Sequence, residues 1–425
     1  MKKILFLSLR DICYNSTSYF EQQISDELTN TGIQVTHLHI PKASDMAYAM
    51  LKPYYNADYD AVIDINSRIP AMKYNNEYIL SHFNIPIWHY ILDHPLYHYE
   101  TINARLGNYH IICLDINHAR LISESFPHIK GTCVLPVAAR QYTSAMQHTL
   151  TSESDCSHNS QFLSDYFNRP EELIFTGTYT DSVKTSLIYS RTSSIDTHPL
   201  LQMLLNNPSL TQEEAARLII CDNPDYNSSD CNMINTDNSD SSVLEYLYKN
   251  FLIDVYLQAI IREEIITQII KNHIHITIYG HGWDTYADKC DILAPDIRKY
   301  LHIKPEVTYD NLPHLYSTAK MSINQMPWFK YGIHDRIPLS MMNGCICISD
   351  TSKYMSDFMH IDESYGVHTY SLEALDTIPD IINELSVRIS HKDNSITDEL
   401  AKGYNYASNN LTWKEWVNKW LKYSQ

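Results

Sequence analysis

Three consecutive residues, His334, Asp335 and Arg336, occupy a loop that starts near Gly332 and gives way to a segment opened by Pro338. A guanidinium presents paired planar donors that match phosphate oxygens, and an imidazole beside it can donate to the same oxyanion. If this loop joins a strand to a helix, the helix start adds backbone N–H groups, and the chemistry is capture of a diphosphate. Lys330 supplies a further cation, and Asp335 stands where a helix N-cap belongs. A second turn, Gly280-His281-Gly282, ends the apolar run HITIY, and its small residues allow close backbone approach to a ligand. In the first half of the chain Asp93, with His94 beside it, ends the aromatic run IWHYIL, and Asp11 follows the first apolar run. A carboxylate or imidazole at such a position can take a proton from a hydroxyl or cap the next helix.

The elements that must carry these residues follow from apolar periodicity. Candidate strands in the first 140 residues are Ile4–Ser8, Gln34–Ile40, Ala61–Ile65, Ile87–Leu92, His110–Leu114 and Thr132–Leu135, alternating with helical patterns as parallel βαβ units do. A polar link over 141–168 precedes a second α/β domain over 169–395, whose first strand, within EELIFTGTY, carries Gly177 at its carboxyl end. Further strands are expected at His275–Gly282, Val307–Tyr309, Met321–Asn324, Cys345–Ser349 and Gly366–Tyr370. A helical insertion spans about 183–271, interrupted by a stretch around 222–242 dense in Asp, Asn and Ser. That stretch lacks the glycine and terminal glutamate of a calcium loop, so no metal site is assigned there. Asp58-Tyr59-Asp60 precedes a strand and reads as a turn, not a metal-binding pair. The closing helices, 396–425, place Trp413, Trp416 and Trp420 at helical spacing for contact with the N-terminal domain.

Bulk numbers narrow the field. With 425 residues there is room for two domains, and 32 Lys+Arg against 50 Asp+Glu gives −18, which disfavours nucleic acid and anionic membranes as partners. Nine scattered cysteines without CxxC spacing suit buried thiols in a reducing compartment. The apolar run near Met1 is about five residues, too short for a signal segment or a membrane span, so a cytoplasmic protein is expected. Only 10 glycines and no GxGxxG after the first strand disfavour a dinucleotide cofactor.

The order LPxLYSxAKxSIN…GxHDRxxxxMxxGCxxIxD, over roughly 270–375, resembles the C-terminal half of the glycosyltransferases grouped with the spore-maturation protein CgeB. That resemblance implies a fold of class α/β, GT-B, with two Rossmann-like domains whose parallel sheets face a cleft. It implies an enzyme transferring a hexose from a nucleotide-diphosphate sugar, with no separate cofactor and no metal. It assigns the Arg336 region to the diphosphate, the Gly177–Tyr179 turn to close approach of the phosphates, and the stretch holding Tyr309 and Leu312 to the nucleobase. Two positions depart from the family. The glutamate usually found three residues after the arginine is Leu339, and the two glutamates eight apart of many retaining relatives are Tyr331 and Leu339, so inversion is favoured. Inversion needs a base for the acceptor hydroxyl, for which Asp93, His94 and Asp11 are the candidates. The acceptor is expected to be a protein such as flagellin or a surface-glycan precursor, and the oligomeric state is left open. The competing readings are a nucleotide-sugar epimerase on the same scaffold and a non-catalytic nucleotide-binding or assembly protein.

Overall fold

Apolar runs of four to six residues become the strands of two parallel sheets, six strands each. The computed structural model describes residues 1–9, 14–142, 165–189, 195–222, 239–326 and 328–424, so Asp11 and most of the 141–168 and 222–242 stretches lie outside the described residues. The chain forms two compact units, the first built from 1–137, 210–251 and 413–425, the second from 138–209 and 252–412.

In the first unit the strands are β1 (Lys3–Ser8), β2 (Gln34–His39), β3 (Ala61–Ile65), β4 (Ile87–Tyr90), β5 (Tyr109–Cys113) and β6 (Ile129–Val134). They pair in parallel in the order β2-β1-β3-β4-β5-β6. Interior strands of a parallel sheet are covered on both faces, which is why β3 and β4 are buried at every position, whereas edge strand β2 is nowhere fully buried. Asp64 of β3 is tolerated there because His89, its register partner on β4, binds it at 2.5 Å. Two helices, Gln212–Asp222 and Ser239–Lys249, also belong to this unit, although the sequence groups them with the C-terminal insertion. So does the last helix, Trp413–Tyr423, whose Trp413 meets Phe20 and whose Trp416 and Trp420 meet Tyr90 and Trp88.

The second unit holds β7 (Glu171–Thr176), β8 (Ile276–Tyr279), β9 (Leu301–Lys304), β10 (Ala319–Ile323), β11 (Ile346–Asp350) and β12 (Val367–Tyr370) in the order β9-β8-β7-β10-β11-β12. The strand expected at Val307–Tyr309 is absent; the chain pairs at Leu301–Lys304 instead and leaves the sheet at Pro305, which has no N–H for a ladder. The order reverses between β7 and β10, so their carboxyl ends open the crevice where a doubly wound sheet takes its ligand.

Candidate functional site

At the carboxyl ends of β7 and β10 the residues singled out by sequence come together. Arg336 opens the helix Arg336–Met342, and its guanidinium donates from Nε to Thr176 Oγ1 at 3.2 Å and from Nη1 to Asn324 Oδ1 at 3.4 Å. Both partners are neutral, and among the described residues no carboxylate oxygen lies within 4.0 Å of it. The helix has only seven residues, so the positive field there comes chiefly from side chains and not from a long macrodipole.

His334 contacts Asp335 through Nδ1, leaving Nε2, 3.4 Å from Arg336 Nη1, to accept. Burial keeps this imidazole below its ordinary pKa; Asp335 opposes that, and Arg336 and Arg262 add to it. Asp335 does not use its side chain as the expected N-cap. Burial alone would raise its pKa, yet His334, Arg336 and the Tyr309 hydroxyl hold it well below the usual carboxylate range. Tyr309 thereby joins the loop, while Leu312 starts the helix Leu312–Thr318 half-buried. Lys330 has its pKa lowered by burial against the pull of Asp350 and Glu373.

The glycine turns pack chiefly against one another. A Cβ on Gly177 would stand 3.0 Å from Arg336 Nη2, one on Gly280 would stand 2.0 Å from the Gly177 carbonyl oxygen, and one on Gly282 would be 2.8 Å from that of Tyr179. Trp283 Nε1 donates to the same Gly177 oxygen at 2.8 Å. His281 is exposed and accepts from Tyr179 N–H through its carbonyl. Tyr179 itself is buried, with its hydroxyl bound to Glu263 at 2.7 Å and to Lys289 at 2.7 Å. Its ring supports the turn and is not presented to a ligand, which corrects the expectation of a binding residue.

Arg262, from the helix Phe251–Lys271, was not singled out by sequence. Its guanidinium carbon lies 5.6 Å from the Phe175 ring centroid, as that of Arg336 does at 5.7 Å. It donates to the Thr178 carbonyl, and with the Gln325 amide oxygen turned toward it, Nε and Nη2 reach that oxygen at 3.2 and 3.1 Å. Two guanidiniums gathered around one strand end repel each other unless an anion lies between them.

In the first unit Asp93 is held by Asn66 Nδ2 at 2.9 Å and stands 3.7 Å from His98 Nε2, with its side chain 42% exposed. His94 departs from the expectation of a base. It is buried, its Nδ1 accepts from Leu96 N–H at 3.1 Å, and its Nε2 meets Glu213 Oε1 at 3.0 Å, so both ring nitrogens are spent within the fold. His94, His118 and Glu213 bring three metal-ligand atoms within 4.8 Å of one another. Because His94 Nδ1 accepts a hydrogen bond, Nε2 must keep its proton, and it gives that proton to Glu213 instead of a lone pair to a cation.

No family model matches the sequence, and no curated protein matches it. Solved structures do. HepE from Anabaena, in complex with UDP and glucose, is similar at TM-score 0.52 and 9% identity, over 100% of this chain and 99% of that one. Sucrose-phosphate synthase from Thermosynechococcus elongatus is similar at 0.52 and 9%, over 100% and 98%. A DNA-modifying β-glucosyltransferase solved in the presence and absence of uridine diphosphoglucose is similar at 0.51 and 11%, over 100% and 99%. At these identities the likeness concerns architecture. The chain has the α/β fold of GT-B glycosyltransferases, with two six-stranded parallel sheets.

Proposed function

We propose that this protein transfers a sugar from a nucleotide-diphosphate donor to an acceptor hydroxyl, the second unit holding the donor, with a CgeB-like enzyme as the nearest type. The carrying observation is Arg336, a partly exposed guanidinium at the carboxyl ends of β7 and β10 whose partners are two neutral oxygens and the His334 imidazole, with no carboxylate among them. Arg336 and Arg262 would take the diphosphate, and His334 would help orient Arg336. As the anomeric bond lengthens, negative charge grows on the leaving phosphate, and fixed cations stabilise that charge more than the ground state. Neutralisation by arginines replaces the divalent metal that other glycosyltransferases use. The acceptor proton goes to Asp93, and the displacement inverts the anomeric centre. UDP bound to other members of the fold makes uridine the first nucleotide to try.

The test is a thermal-shift series with UDP, GDP and CMP, because a ligand bound only by the folded state raises apparent stability. One of them is expected to raise the Tm, and Arg336→Ala to abolish the rise. A protein that binds none is an assembly factor on an enzyme's scaffold, and a shift untouched by Arg336→Ala removes that residue from the site.

A further inference from the structure

We infer that the first unit carries a binding site for one neutral saccharide ring, in the cavity beside Asp93, and that the acceptor hydroxyl belongs to a sugar and not to a peptide. The inference rests on the glycosyl-transfer reading above and names its acceptor class.

The cavity, of about 200 Å3, opens at the carboxyl ends of β3 and β4. That is smaller than the pockets that enclose drug-sized ligands, roughly 300 Å3 and more, and suits a single ring. Its polar groups are planar and prearranged. Asn66 sits in the left-handed region at φ 51, accepts from Leu92 N–H through Oδ1 at 2.8 Å, and so aims Nδ2 at Asp93. The Asp64–His89 pair lies beneath, with Ser67 Oγ bound to Asp64 at 2.5 Å and Thr101 Oγ1 3.3 Å from His89 Nε2. On the opposite wall the Tyr248 hydroxyl meets Glu100 Oε1 at 3.2 Å while its ring stacks on Tyr99 at 4.9 Å. Tyr97 is 39% exposed and adds another aromatic face.

Carboxylates, an amide and the guanidinium of Arg68 match pairs of neighbouring hydroxyls, each of which donates and accepts, and tyrosine rings cover the C–H face of a sugar. Capture of a peptide by strand addition needs an open sheet edge, and β3 and β4 are interior strands with none to offer. Charge then selects among sugars. Asp93 and Glu100 outnumber Arg68, and burial lowers the pKa of His98 against the pull of Asp93, so an anionic substituent meets net repulsion. His98 Nε2 is buried 3.7 Å from Asp93, beyond hydrogen-bond distance, and lines the same cavity. In the reaction a ring hydroxyl gives its proton to Asp93, and its oxygen forms the new bond to the anomeric carbon. The anomeric bond to phosphate breaks, and its electron pair leaves on the nucleoside diphosphate.

The experiment titrates the full chain, with the stabilising nucleotide present for binding and the corresponding nucleotide-diphosphate sugar supplied for transfer, against methyl glucoside, methyl galactoside, N-acetylglucosamine, glucuronic acid and a Ser/Thr peptide, and repeats it on Glu100→Gln, Tyr97→Ala and Asp93→Asn. At least one neutral sugar is expected to bind at millimolar concentration and to accept transfer. Glu100→Gln and Tyr97→Ala should weaken that binding about tenfold with the nucleotide shift intact. Asp93→Asn should keep sugar binding and slow transfer about 100-fold or more. Transfer to the peptide or to glucuronic acid in preference to every neutral sugar, or sugar binding unmoved by the Glu100 and Tyr97 variants, overturns the inference. Loss of the nucleotide shift itself, in the unaltered chain, would instead be a failure of the donor reading.

Discussion

Asp350 ends β11 with one carboxylate oxygen accepting from Met326 N–H at 2.6 Å and the other buried without a hydrogen bond. Burial raises its pKa from 3.8 to about 6, with Lys330 opposing. The sign of the stability effect follows from proton counting. Between pH 4 and 6 the folded chain holds a proton that the unfolded chain has released, so stability falls as pH rises through that window, by roughly 3 kcal/mol at most. Asp350→Asn keeps an acceptor for Met326 and removes the charge. The variant should therefore melt higher than the parent at pH 7.5 and no higher at pH 4, as followed by calorimetry. An equal effect at both pH values would show that the charge is not the cause. The loop that Asp350 anchors carries Lys330 through Arg336, so this residue trades stability for a fixed loop start. Residue types alone pointed to Arg336, since arginine, histidine and glycine clustered within five positions. They did not point to Arg262, which reaches Phe175 from 87 positions away along the chain, nor to the fate of His94, which is decided by Glu213.

At the level of elements, the interior strands were readable because burial on both faces demands mostly apolar runs, and β3, apolar but for Asp64, coincides with the expected Ala61–Ile65. Edge strand β9 was not, because LHIK alternates and lacks such a run. The glycine turns illustrate a similar divide. Sequence marked Gly280 as a place for a ligand, whereas its first requirement is the neighbouring turn, whose carbonyl would lie 2.0 Å from an added Cβ. Gly280→Ala must move backbone and not a flexible side chain. It should cost on the order of 3 kcal/mol in chemical denaturation and weaken the nucleotide-induced shift by displacing Gly177. Unchanged stability would mean that the β7 and β8 ends are not packed as described.

For the molecule as a whole, the −18 charge repels anions, so the proposed donor site must rely on its local arginines to draw in a nucleotide, and added salt should weaken that capture. No helix among the described residues is long and apolar enough to cross a membrane. Two α/β units were legible from the alternation of strand and helix patterns, but the assignment of 210–251 to the first unit was not, because apolar helical periodicity does not say which core a helix joins. The same holds at the end of the chain, where buried Trp413, Trp416 and Trp420 fill the first unit. Deleting 413–425 should lower that unit's resistance to proteolysis severely while nucleotide-dependent protection of 252–412 in hydrogen exchange persists. Equal loss in both would contradict two separate cores.

A unit stitched from three stretches also has a history on the ribosome. Its β-sheet emerges first, its flanking helices after residue 209, and its tryptophan seal with the final 13 residues of the numbering, 413–425. Domains usually fold in the order they are made. Here the earlier-made sheet must wait, exposed along the face that the tryptophans cover, until residues 413–425 have been made, so chaperone dependence during synthesis should exceed what the folded unit's stability suggests.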